Sequence, residues 1–145
     1  MENIRVLVQA AESAGVRRIV HISITNALVD SRLSYFRGKG LVEGIVTVSG
    51  LSRVIIRPMV IFGTWDILVN NIVWLLRRFP LFGIFGTGEY RVQPVYVDDV
   101  AEIAVNAGDG YEDVTMDAVG PETCTYRELV RLITCKIGRQ ARIIS

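Results

Sequence analysis

The chain has 145 residues, half of them hydrophobic, with sixteen basic against fifteen acidic side chains and a net charge of +1. That length fits a single domain with a sizeable core, and the near-neutral charge excludes bulk electrostatic attraction to nucleic acid or an anionic surface. Two cysteines, Cys124 and Cys135, and one histidine, His21, exclude a disulfide framework and a zinc centre.

In chain order, Ile4, Leu7, Val8, Ala11 and Ala14 recur at helical spacing and Gly15 follows as a C-cap, predicting an amphipathic helix over residues 3–14. Residues 18–24 (R-I-V-H-I-S-I) read as a buried strand. After a polar stretch, residues 35–49 predict a helix despite Gly38, Gly40 and Gly44, each costing about 1 kcal/mol against Ala; three glycines imply close backbone approach on that face. Residues 52–57 (S-R-V-I-I-R) form a second buried strand, ended by Pro58. Nearly continuous apolar strands alternating with helices predict an α/β fold with a parallel sheet covered on both faces. Beyond Gly63, Asp66 is placed to cap a helix over 67–78, and residues 80–93 predict turns or a hairpin around Gly86-Thr87-Gly88. A short strand over 95–97, a helix from Asp98 or Asp99 to about Ala107, a strand over 115–119 and a helix over 126–137 ending at Gly138 complete the pattern.

A mean hydropathy of +0.37 is high for a soluble monomer. Apolar surface is therefore expected to meet another chain, a membrane or a further part of the same fold, the last being preferred. The most apolar stretch, residues 67–76, falls well short of the roughly twenty residues a membrane span needs. With no basic-then-apolar pattern at the start of the chain, a cytoplasmic location without membrane contact is expected.

The chemically suggestive pair is Tyr35 and Lys39. At i and i+4 they project from one helix face, and five tyrosines with two lysines would give about 0.07 such pairs by chance. An ammonium beside a phenol favours phenolate, which proton exchange at neutral pH requires. Gly38-Lys39-Gly40 with Gly44 does not qualify as a phosphate-binding fingerprint, because no buried strand precedes it, and no other glycine cluster closes a strand and opens a helix.

The order R-R-I-V-H-I-S, Y-F-R-G-K, V-I-I-R-P-M-V-I-F-G, G-T-G-E-Y-R-V-Q-P-V-Y-V-D-D-V-A and D-A-V-G-P-E-T-C-T-Y-R-E-L resembles the distal part of an extended or atypical short-chain dehydrogenase/reductase. Within that family it is similar to NAD-dependent epimerase/dehydratase-like proteins and to the nucleotide-binding accessory subunit of respiratory complex I. The resemblance covers essentially the whole chain. It implies the distal half of a Rossmann-type sheet over 1–65, a small substrate lobe with returning elements over 66–145, and a glycine-loop half lying outside this chain, as in a fragment.

The resemblance also implies roles. Tyr35 is the acid/base; Lys39 lowers its pKa and hydrogen-bonds the nicotinamide ribose; Ser23 or Thr25 holds the substrate oxygen; Pro58 and Met59 border the nicotinamide of NAD or NADP. Ser23 precedes Tyr35 by twelve residues, fewer than extended members have. The function implied is an NAD(P)-binding oxidoreductase or sugar-nucleotide epimerase/dehydratase acting on a small molecule, or alternatively a non-catalytic nucleotide-binding scaffold or assembly factor with a protein partner or a second copy of itself. Plainer readings stand beside these: a helix-surface pair for Tyr35 and Lys39, a strand terminus for Ser23, helix capping for Asp98 and Asp99, a solvated hairpin arginine for Arg91, a satisfied core histidine for His21, and lobe core for residues 67–85.

Overall fold

The structure is a computed structural model and describes residues 2–144. It divides into two compact units, the first running to Met59 and resuming over Asp98–Val119, the second comprising Val60–Val97 and the chain from Gly120 onward.

The first unit holds α1 (Glu2–Ser13), β1 (Arg18–Ile22), α2 (Ser34–Thr47), β2 (Ser52–Pro58), α4 (Val97–Asp109) and β7 (Val114–Ala118). Its sheet is three-stranded and parallel in the order β1-β2-β7, with His21 opposite Ile55 and Arg57 opposite Asp117. Period-2 alternation sorts the side chains between two faces. Val20, Val54, Ile56, Met116 and Ala118 pack with Ile103, Ala104 and Ala107 of α4. On the other parity, Ile19 packs with Val8 of α1 and Ile45 and Val46 of α2. Both faces are covered, as the apolar runs predict, and β1 ends at Ile22 although its pairing continues through Ser23 N–H to the Ile56 carbonyl.

Of the three helix glycines, only Gly40 makes the close approach expected of all three. A Cβ there would lie 2.7 Å from the Leu28 carbonyl carbon and 2.8 Å from Val29 N, whereas Gly38 and Gly44 face open space. Gly40 is thus a packing contact between α2 and the loop after β1.

The second unit is built from short pieces: β3 (Val60–Phe62), α3 (Ile67–Arg78), β4 (Leu81–Gly83), β5 (Arg91–Val92), β6 (Pro94–Tyr96), β8 (Cys124–Thr125), α5 (Tyr126–Lys136) and β9 (Arg142–Ile144). They pair as β3-β6 and β4-β9, both parallel, and β5-β8, antiparallel. Gly86-Thr87-Gly88 is a turn but not a hairpin, since the strands flanking it pair elsewhere; Arg91 accordingly lies exposed on β5 rather than in a hairpin. Local capping fixes the helices. Asp66 accepts from Val69 N–H at 2.6 Å, and Thr125 with Glu128 forms a reciprocal capping box on α5.

Residues 67–85 are only half the lobe core the sequence suggests. Ile72, Leu76, Phe82 and Ile84 are buried, while Ile67, Trp74, Phe79, Leu81 and Phe85 stand in solvent. The alternation of α3 is genuine, but its outward face is apolar as well.

Candidate functional site

The predicted residues gather at the carboxyl ends of β1 and β2, the end of a parallel sheet where ligands bind in this architecture. Strand parity puts Ile19, His21 and, just past the strand, Ser23 on the α2 side, with Arg57 of β2. From α2, Tyr35, Lys39 and Glu43 form one stripe at successive i+4 steps. Glu43 continues the Tyr35–Lys39 pair, and that spacing is the sequence signal by which it could have been found.

The centre of the cluster is a forked ion pair. Arg57 Nε donates to Glu43 Oε1 at 3.0 Å and Arg57 Nη2 to Oε2 at 2.5 Å, with the carboxylate buried and the guanidinium partly open. Two parallel charge-assisted hydrogen bonds fix the rotation of α2 against the sheet as well as its distance. Burial pushes the Glu43 carboxyl up, but the Arg57 hydrogen bonds and the nearby Ser23 hydroxyl outweigh it and hold the group ionised below the usual range.

His21 is held neutral, its pKa lowered by burial and then by the Lys39 ammonium, with Glu43 opposing. Its Nε2 is buried without a hydrogen-bond partner, which corrects the expectation of a satisfied core histidine. Ser23 is 2% exposed. Its Oγ lies close enough to the Glu43 carboxylate to lower its pKa, yet makes no hydrogen bond of proper geometry.

Tyr35 differs sharply from Ser23. It is 60% exposed, its ring meets Phe36 edge-on at 5.6 Å, and neither its hydroxyl nor the Lys39 ammonium makes a hydrogen bond among the described residues. Thr25 is buried and its N–H donates to the Pro58 carbonyl at 3.1 Å, so the Pro58 oxygen is already engaged; Met59 follows at the bend between β2 and β3.

The riboside end of a nicotinamide nucleotide fits what these residues offer: a free phenol and a free ammonium one helical turn apart. The pyrophosphate end does not. Among the described residues, the helices that directly follow a strand carry carboxylates at their N-termini, Asp66 on α3, Asp98 and Asp99 on α4, and Glu128 on α5, where a bound phosphate would be repelled. A cavity of about 420 Å³ in the second unit is lined by Arg131, Thr134, Cys135, Arg139, Ala141 and Ile143 and contains none of the predicted site residues. No group of three or more His, Cys, Asp or Glu among the described residues could hold a metal.

No family model matches the chain. It is 36% identical over 135 residues to the mitochondrial NADH dehydrogenase [ubiquinone] 1 alpha subcomplex subunit 9 of Mus musculus, covering 89% of this chain and 35% of that protein. The Arabidopsis thaliana subunit of the same name is 30% identical over 138 residues, 93% of this chain and 34% of the relative. The chain thus spans about a third of the length of the curated relatives it matches.

Among solved structures, an NAD-dependent NDP-hexosamine 5,6-dehydratase involved in tunicamycin biosynthesis superposes with a TM-score of 0.80 at 18% identity over 98% of this chain and 54% of that one. UDP-glucose 4-epimerase from Thermotoga maritima gives 0.79 at 19% identity over 97% and 54%. The fold is therefore that of about half of a Rossmann-type epimerase or dehydratase chain, while the similarity in sequence is to NADH dehydrogenase subunits. Both relatives are, by name, subunits of NADH dehydrogenase. The cytoplasmic expectation is corrected: the relatives are mitochondrial proteins, and the pattern of the first residues says nothing of compartment in a chain that matches a third of their length.

Proposed function

We propose that this chain serves as part of a mitochondrial, nucleotide-binding accessory subunit of a complex I-type assembly, holding the nicotinamide-riboside end of NAD(H) or NADP(H) without turning over a substrate. Tyr35 and Lys39 would contact the ribose, and Pro58 and Met59 would border the nicotinamide. When bound, the nucleotide would supply hydride chemistry in an active relative; in this chain the residues would hold and orient it. Residues 1–65 would be the distal half of the nucleotide fold and residues 66–145 mainly the substrate lobe of the ancestral enzyme.

One observation carries the non-catalytic reading. A serine that steadies a substrate oxygen must be reached by it, and Ser23 is 2% exposed, turned toward Glu43. Additional protein around the cluster could only lower that exposure. The identity of 30–36% to accessory subunits across most of the chain supports the same choice.

Catalysis by Tyr35, Lys39 and Ser23 is the second reading, favoured by the exposed phenol and the free ammonium on one helix face. Native electrophoresis of mitochondria expressing the tagged protein tests the first. Co-migration with assembled complex I, unaffected by Tyr35→Phe, is expected. Exclusive migration as a free species, or NAD(P)H-dependent turnover that Tyr35→Phe abolishes, would overturn it.

A further inference from the structure

We propose that the outward face of α3 and the turn after it dock onto an anionic lipid surface. The buried side of α3 is Val69, Ile72, Val73 and Leu76, spaced to meet the unit's core. The opposite stripe, at steps of four, three and four residues, is Ile67, Asn71, Trp74 and Arg78. A helix whose outer stripe belonged in water would place charged and small polar groups there. Instead it carries an isoleucine and a tryptophan, both more than half exposed, with an arginine at the end.

The flanks continue the pattern. Trp65, just before the helix, is 93% exposed; Phe79, at its end, packs edge-on against Trp74 at 6.3 Å; Phe85, in the loop after β4, is 92% exposed. Single exposed apolar residues are ordinary, but a run of this size on one helix and its two ends marks an interaction surface.

Charge selects the occupant. From Trp65 to Gly88 the one acidic residue is Asp66, whose carboxylate is turned back to cap Val69 N–H, and the other charged groups are Arg77 and Arg78, neither ion-paired among the described residues. The rest of the chain is nearly balanced, so this is a local cationic surface on a neutral protein. Tryptophan and phenylalanine insert at the boundary between headgroups and acyl chains, while arginine stems lie along apolar surface and reach phosphates with their guanidinium groups. A protein partner would be equally served by the apolar groups, but nothing in it would require that the patch's only outward charges be two arginines. The twelve residues of α3 span roughly 18 Å, well under the roughly 30 Å hydrocarbon core, so the helix would lie on the surface and not cross it. The inference is independent of the nucleotide reading and revises the expectation of no membrane contact.

Both tryptophans of the chain, Trp65 and Trp74, lie on this patch, so tryptophan emission, excited at the red edge where the five tyrosines do not absorb, reports on it alone. The chain is titrated with vesicles of phosphatidylcholine mixed with phosphatidylglycerol, with phosphatidylcholine vesicles in parallel. A blue shift with the anionic vesicles, quenching by brominated acyl chains and reversal by salt are expected. Arg77→Gln with Arg78→Gln should weaken partitioning roughly thirtyfold, and Trp74→Ser should weaken it on the same vesicles, with thermal melts confirming that both variants fold. No shift at saturating anionic lipid, or an equal shift on neutral vesicles that the arginine variant leaves untouched, overturns the proposal. So does a lipid-free shift that grows with protein concentration alongside dimer formation, which would assign the patch to another protein chain.

Discussion

The two units solve the same problem in opposite ways. The first turns its polar groups inward: a seven-residue strand buries Val54, Ile55 and Ile56 almost completely, and beside them buried Ser23 and Glu43 cluster with half-buried His21 and Arg57. The second turns apolar groups outward, holding strands of two or three residues together with caps and a handful of buried side chains, while tryptophan and phenylalanine stand in solvent. Long parallel strands generate enough buried area to accommodate a charged pair where a function needs one. Short strands cannot, and their stability rests on local hydrogen bonds that each contribute little.

The largest effect should come from breaking the inward cluster. Arg57→Ala leaves a buried carboxylate without its counter-charge and should cost about 3 kcal/mol by urea denaturation, at the low end for a buried pair because the guanidinium is partly open to water. A loss under about 1 kcal/mol would make the pair equivalent to a surface bridge.

Acid sharpens the same point. His21 and Glu43 both have folded-state pKa values below their ordinary ones. In each case the unfolded chain binds protons more readily, so stability is full above the ordinary pKa and falls as pH drops through it, first below about 6.5 for His21 and then below about 4.3 for Glu43. His21→Asn should flatten the upper part of the pH–stability curve and Glu43→Gln the lower; a wild-type curve that rises on acidification would contradict the assigned directions.

Next in size is Gly40→Ala, whose Cβ would strike the backbone of Leu28 and Val29 and should cost about 2 kcal/mol. Gly38→Ala, in open space on the same helix, should instead stabilise by up to about 1 kcal/mol. Equal melting shifts for the two would remove the close approach from the account. In the second unit, Thr125→Ala deletes one cap hydrogen bond of α5 and should cost about 1 kcal/mol. The smallest effect belongs to Glu89→Gln, which breaks an exposed pair with Arg127 and should change stability by less than about 1 kcal/mol.

The contrast also explains what was legible in the sequence. The runs R-I-V-H-I and S-R-V-I-I-R, the glycines after α1 and α5, and the Asp66 cap each state their structure within a few residues, and the first unit's sheet follows from them. The pairings β3-β6, β4-β9 and β5-β8 do not, because two or three residues have no detectable period and their partners lie tens of residues away. At the site, Tyr35 and Lys39 were legible as a helix pair. Arg57 was not legible as the partner of Glu43, since only the register of β2 against α2 brings them together. The burial of Ser23 was equally hidden: a serine after a strand looks the same whether it opens to a substrate or closes on a carboxylate.

The central claim is a divided nucleotide site, with proposed riboside contacts on α2 and, among the described residues, a carboxylate at the start of every helix that directly follows a strand, leaving none to cradle a pyrophosphate. A fluorescence titration of the 145-residue chain with NADH and NADPH tests it most directly. The account predicts no saturation in the micromolar range for either nucleotide. Micromolar saturation that Lys39→Ala abolishes would contradict it, because the chain would then hold the whole dinucleotide by itself.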